Sequence, residues 1–163
     1  YPTYEQSTKQ LMAAITMLRN NGHHKIFINT SILGLEPVLR NMSDTMGIKY
    51  KLSNALSESW RGKQLRYLLE DSRFSSDSSI ILGHRKKDDT NTDIPWIIPT
   101  CTYYLCSTES KKKEKKAHHY YVWFCTHSNQ PENDMFKALV GATYNNPCMY
   151  SLVGEKQIMV VAL

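Results

Sequence analysis

Three stretches of helical periodicity alternate with three short apolar runs in the first half of this chain, and that alternation constrains its fold more than any other feature. Residues 4–20 bring Tyr4, Leu11, Ala14, Ile15 and Leu18 onto one helical face, and Asn21-Gly22 supplies a stop. Residues 24–32 hold Ile26, Phe27, Ile28 and Ile32, the make-up of a buried strand. Helical spacing returns over 35–46 with Leu35, Val38, Leu39, Met42 and Met46. Pro37 falls in its first turn, where a missing N–H costs nothing, and Gly47 ends it. Ile48, Tyr50 and Leu52 alternate as a short strand. Residues 57–74 predict a third helix, with Trp60, Gln64, Tyr67 and Leu68 along one stripe and Leu65 and Leu69 widening it. Ile80-Ile81-Leu82 reads as a third buried strand. Such alternation builds a parallel sheet with helices packed on it.

The pattern changes after that. Residues 84–93 contain no apolar side chain and read as a solvated loop. Two longer runs rich in Tyr, Trp, Ile and Val, 94–106 and 119–126, flank a polar, lysine-rich stretch and read as an antiparallel hairpin with Pro99 at an edge or bulge. A helix over 133–144 and a hairpin of 149–153 with 157–162 complete the expectation. The fold class expected is therefore α/β. It is a single domain over residues 1–163 whose mixed sheet, parallel in the N-terminal half and built of antiparallel hairpins in the C-terminal half, is flanked by helices. A length of 163 residues suits one domain, and 41% hydrophobic with 21% charged residues excludes wholesale disorder. No apolar run reaches the roughly 20 residues of a membrane helix, so no membrane partner is expected. Because residue 1 is Tyr, the chain reads as a domain excised from a longer intracellular protein, with the nucleus as one location.

Charge is where function shows most. The net charge is +5, and the positive residues cluster. Lys111, Lys112, Lys113, Lys115 and Lys116 crowd one connection, Arg85, Lys86 and Lys87 another. If both connections leave the same sheet edge they form one basic face suited to phosphates, with Tyr120 as a stacking partner for bases. A solvated loop tip and an edge protected from aggregation are the competing structural readings.

Other chemistry is thinner. Cys101, Cys106, Cys125 and His127, with His118 and His119 nearby, have donor types suited to zinc. Cys101 and Cys106, however, are an odd number of residues apart and face opposite sides of a regular strand, so neither metal nor cofactor is expected. The remaining cysteine, Cys148, joins no recognisable framework. No Gly-rich phosphate loop or nucleophile elbow occurs. Cys125 and His127 share a strand face but lie too far apart for direct proton transfer. Two Asn-x-Ser/Thr matches, at Asn29 and Asn41, read as chance. Trp60 is expected in the core, while Trp96, entering a strand after Pro95, is either core or an exposed anchor.

Residues 25–56 with Ile94-Pro95-Trp96-Ile97-Ile98-Pro99 loosely resemble the phosphopeptide-reading BRCT repeats, but residues 100–106 read as strand where that family has a helix carrying its characteristic Trp. Ile81-Leu82-Gly83-His84-Arg85-Lys86 faintly resembles the catalytic strand of the XPF-type nucleases, with His84 in place of the acidic residue, which would imply an inactive relative. Neither resemblance assigns a family. The leading expectation is a non-catalytic binding module whose partner is nucleic acid or an acidic protein segment. Two alternatives stand beside it. One is a phosphodiester-cleaving enzyme with Asp88, Asp89 or His127 near its site. The other is a scaffold that binds protein through aromatic and apolar surface.

Overall fold

A computed structural model describes residues 4–32, 34–100 and 117–124. Helix α1 (Tyr4–Asn20) leads into strand β1 (Ile26–Asn29), then helix α2 (Glu36–Met46) and strand β2 (Tyr50–Leu52). Two short helices, α3 (Asn54–Ser57) and α4 (Trp60–Leu69), precede strand β3 (Ile80–Gly83). One helical turn, α5 (Arg85–Asp88), follows, and then strands β4 (Trp96–Thr100) and β5 (His119–Trp123). The strands form one sheet in the order β2-β3-β1-β4-β5, and every pair in it is parallel.

The α/β class and the first three helix–strand alternations are as the periodicity predicts. The hairpin of 94–106 with 119–126 is not. Trp96 pairs with His119 and Thr100 with Trp123 in parallel register, so β4 and β5 are not the two arms of a hairpin; the lysine-rich stretch between them lies outside the described residues. Pro99 also lies inside the sheet, in a strand flanked on both sides. It fits because the pairing of β4 with β1 ends at Ile97. The Trp96 N–H donates to the His118 carbonyl on the β5 side, so by alternation the N–H that Pro99 lacks would face β1, where no ladder remains. The helix expected at 133–144 and the hairpin of 149–162 lie outside the described residues.

One face of the sheet carries the helices. Ile26, Ile28, Tyr50, Leu52, Ile80, Leu82, Ile97 and Val122 point into a core with Leu11, Ile15 and Leu18 of α1 and Val38, Leu39 and Met42 of α2. Leu65 and Leu69 of α4 complete it. Each such side chain that is fully buried contributes about 1.5–3 kcal/mol to assembly. The helix ends follow local chemistry. Gly47 closes α2 in the left-handed conformation at φ 63°. Ser53 Oγ accepts from the Leu56 N–H at 3.1 Å to start α3, and Ser59 Oγ accepts from the Gly62 N–H at 3.0 Å to start α4. The Ser59 cap starts a new helix inside the one expected over 57–74, and Glu70, at φ 69°, ends it. In α4, Trp60 is 74% and Tyr67 84% exposed. Trp60 is a surface residue, contrary to the sequence expectation, and Leu65 and Leu69 take the core.

Tyr50 anchors β2 to α2. Its buried hydroxyl donates to the Leu39 carbonyl at 2.6 Å. Burial pushes its pKa well above the ordinary tyrosine value, with the Arg73 cation pulling back and the Asp44 carboxylate adding to the rise. Below about pH 10 the phenol is protonated in both folded and unfolded chains. Above that only the unfolded chain releases the proton, so this group's contribution is lost as pH rises. Tyr50→Phe should cost about 1 kcal/mol at neutral pH and flatten the alkaline fall in the urea midpoint. An alkaline limb as steep as that of the parent chain would sink this assignment.

Candidate functional site

The second face of the sheet is the one that meets the polar connections. In the parallel register Ile81, Phe27, Trp96 and His119 lie side by side across four strands. Trp96 is buried, which settles its two readings in favour of core, and its ring stacks on Phe27 at 4.5 Å between centroids. The chain leaving β3 turns straight down onto this face. A Cβ on Gly83 would lie 2.9 Å from Phe27 Cδ1, 3.0 Å from Trp96 Cη2 and 3.2 Å from an Asp88 oxygen, so only glycine leaves room for that descent.

Two adjacent carboxylates fasten the descent. Asp88 Oδ2 accepts from Ser53 Oγ at 2.7 Å and from the His84 N–H at 2.8 Å, tying the ends of β2 and β3 together. Asn29 Oδ1 does similar work at the end of β1, accepting from the Ser31 hydroxyl at 2.7 Å and the Arg85 N–H at 3.3 Å. Asn29 is buried, in keeping with reading its glycosylation match as chance.

Asp89 then reaches β5. Its Oδ1 lies 2.7 Å from His118 Nε2 and its Oδ2 lies 2.9 Å from His119 Nε2. A carboxylate can only accept, so both Nε2 atoms carry hydrogen in this arrangement. The side chains are 7% (Asp89), 8% (His118) and 1% (His119) exposed, so the cluster is closed to bulk water. The two imidazoles meet edge to face at 4.4 Å, and the Tyr121 hydroxyl stands 3.5 Å from His119 Nδ1. Burial holds His119 below the ordinary histidine range. The Asp89 carboxylate opposes that shift, and His118 and Arg85 reinforce it.

The residues singled out from the sequence distribute as follows. Arg85, Lys86 and Lys87 form α5, with both lysines exposed and Arg85 half-buried. The segment 84–93 is therefore not a plain solvated loop, since it holds a helical turn and a buried carboxylate. Tyr120 is half-buried and packs against the helix-side core. Lys111, Lys112, Lys113, Lys115 and Lys116 lie outside the described residues, as do His127 and all four cysteines. The chain matches no protein-family model and no curated protein. Function must therefore be argued from the site.

The sequence reading missed the joining of Asp89 to His118 and His119. Both partners stood out separately, Asp89 as a loop carboxylate and the histidines as neighbours of the cysteines. Only the parallel placement of β5 beside β4 brings residues 29 and 30 positions apart into contact.

Proposed function

We propose that this chain is a non-catalytic nucleic-acid-binding module. Its phosphate contacts come from Arg85, Lys86 and Lys87 together with Lys111, Lys112, Lys113, Lys115 and Lys116. One observation carries the reading, the Asp89–His118 hydrogen bond of 2.7 Å. Lys87 stands two residues before Asp89 and Lys116 two residues before His118. Two Cα–Cα steps span at most about 7.6 Å. Chain connectivity from that bond supports reading the two basic clusters as parts of one surface. Charges so grouped hold phosphates with little reading of bases. The carboxylates of Asp88 and Asp89 are engaged in hydrogen bonds, which favours a binding surface over a hydrolytic one.

Fluorescence anisotropy with single- and double-stranded DNA and RNA, with and without chelator, tests the proposal. Affinity should fall roughly 500-fold for duplex DNA and roughly 100-fold for single strands between about 50 and 200 mM salt if five phosphates are neutralised. Changing Arg85, Lys86 and Lys87 together to Gln should lower the salt slope by about 2–3, one unit per lost contact. Absence of binding at low salt, or binding indifferent to salt, overturns the proposal. The scaffold reading would then take its place, because Trp60 and Tyr67 project from α4 as exposed aromatics suited to anchoring a protein partner.

A further inference from the structure

We propose that Asp89, His118 and His119 together bind one divalent transition-metal ion, through a carboxylate oxygen of Asp89 and Nε2 of each histidine. Their three donor atoms all lie within 4.8 Å of one another, and all three side chains are nearly closed to water. Two imidazole nitrogens and one carboxylate are a donor set that favours Zn²⁺ or Fe²⁺ over Mg²⁺ or Ca²⁺, which take oxygen.

Ligands at about 2.0–2.1 Å from a tetrahedral Zn²⁺ sit about 3.3 Å apart. To admit the ion, the carboxylate contacts of 2.7 and 2.9 Å must lengthen, and the donor atoms, already within 4.8 Å of one another, must settle near that spacing. Each Nε2 gives up its hydrogen to Nδ1 when it turns its lone pair on the metal. For His119 an outer partner already waits, since the Tyr121 hydroxyl can accept from Nδ1–H. Such outer partners commonly fix the tautomer of a ligating histidine. Three protein ligands leave one position open. The ion would pin the β3–β4 connection to the start of β5. The inference does not depend on nucleic-acid binding, and its failure leaves that reading standing.

The test uses the full chain, stripped by chelator and dialysed. Zn²⁺ is titrated against a chromogenic competitor, and Co²⁺ reports the ligand types by its absorption. One equivalent should bind. Asp89→Asn should weaken Zn²⁺ by more than the roughly 10–100-fold that loss of an outer partner costs, as should His118→Gln. The Asn variant keeps an acceptor at the same place, and far-UV circular dichroism confirms that it folds. The Co²⁺ spectrum should show d–d bands without thiolate charge transfer. Absence of a stoichiometric site overturns the inference. So does Zn²⁺ affinity unchanged in both folded variants, or a thiolate band assigning the ion to the cysteines.

Discussion

Arg61→Ala should lower the unfolding free energy by about 3–5 kcal/mol, the usual cost of stripping one partner from a buried ion pair. The Arg61 guanidinium is the hub of the β1–α2 connection. It bonds Glu36, donates to Gln64 Oε1 at 2.6 Å, and caps the carbonyls of Thr30 and Ile32 at 3.1 Å each. The side chains of Arg61 and Glu36 are only 16% and 11% exposed. Alanine would leave a carboxylate and two carbonyls with water excluded and no donor in place. A urea titration reads the loss directly, and a drop under about 1 kcal/mol would show that the pair is effectively solvated. Replacing both partners, as Arg61→Met with Glu36→Leu, should recover much of the loss, because apolar pairs of like volume often match buried ion pairs.

Gly62→Ala, one residue on, should also act strongly. A Cβ there would stand 1.9 Å from the Leu56 carbonyl oxygen, 2.8 Å from its carbon and 3.3 Å from Ser57 Cα. All three are backbone atoms, so no rotamer change relieves the overlap and α3 must move away from α4. The cost should reach about 3 kcal/mol or more, the top of the usual range for overpacking, against about 1 kcal/mol of gained helix propensity. For a chain of this size the net loss of about 2 kcal/mol or more is a fall of at least about 4–8 °C in Tm. An unchanged Tm would mean that α3 and α4 do not pack as described.

These two residues also show where sequence reading runs out. The amphipathic spacing of Leu11, Ile15 and Leu18, or of Val38, Leu39 and Met42, is legible because each helix buries one regular apolar stripe. In α4 the inward positions are Gly62, Leu65 and Leu69, and the larger aromatics Trp60 and Tyr67 point outward. A periodicity that weights side-chain size turns this helix to the wrong face. Strand direction was equally hidden. A run of Tyr, Trp and Ile looks the same paired parallel or antiparallel, and a polar stretch between two such runs favours the hairpin reading. The candidate site depends on that direction, since His119 meets Asp89 only because β5 starts beside the start of β4. The basic residues of α5 needed no such help, as their clustering is visible in the sequence itself.

The position of β1 sets a timetable for folding during synthesis. Of the five described strands it is made first, yet it lies mid-sheet between β3 and β4. A ribosome adding about 5–20 residues per second needs roughly 3–11 s to pass from Asn29 to Gly83. Throughout that interval Ile26-Phe27-Ile28-Asn29 has neither neighbour, and its second edge stays open until Trp96–Thr100 emerges. An apolar strand with two free edges is a template for pairing with other chains. Nascent chains stalled between these points should therefore be the species most in need of a chaperone, and the ones that aggregate first without it.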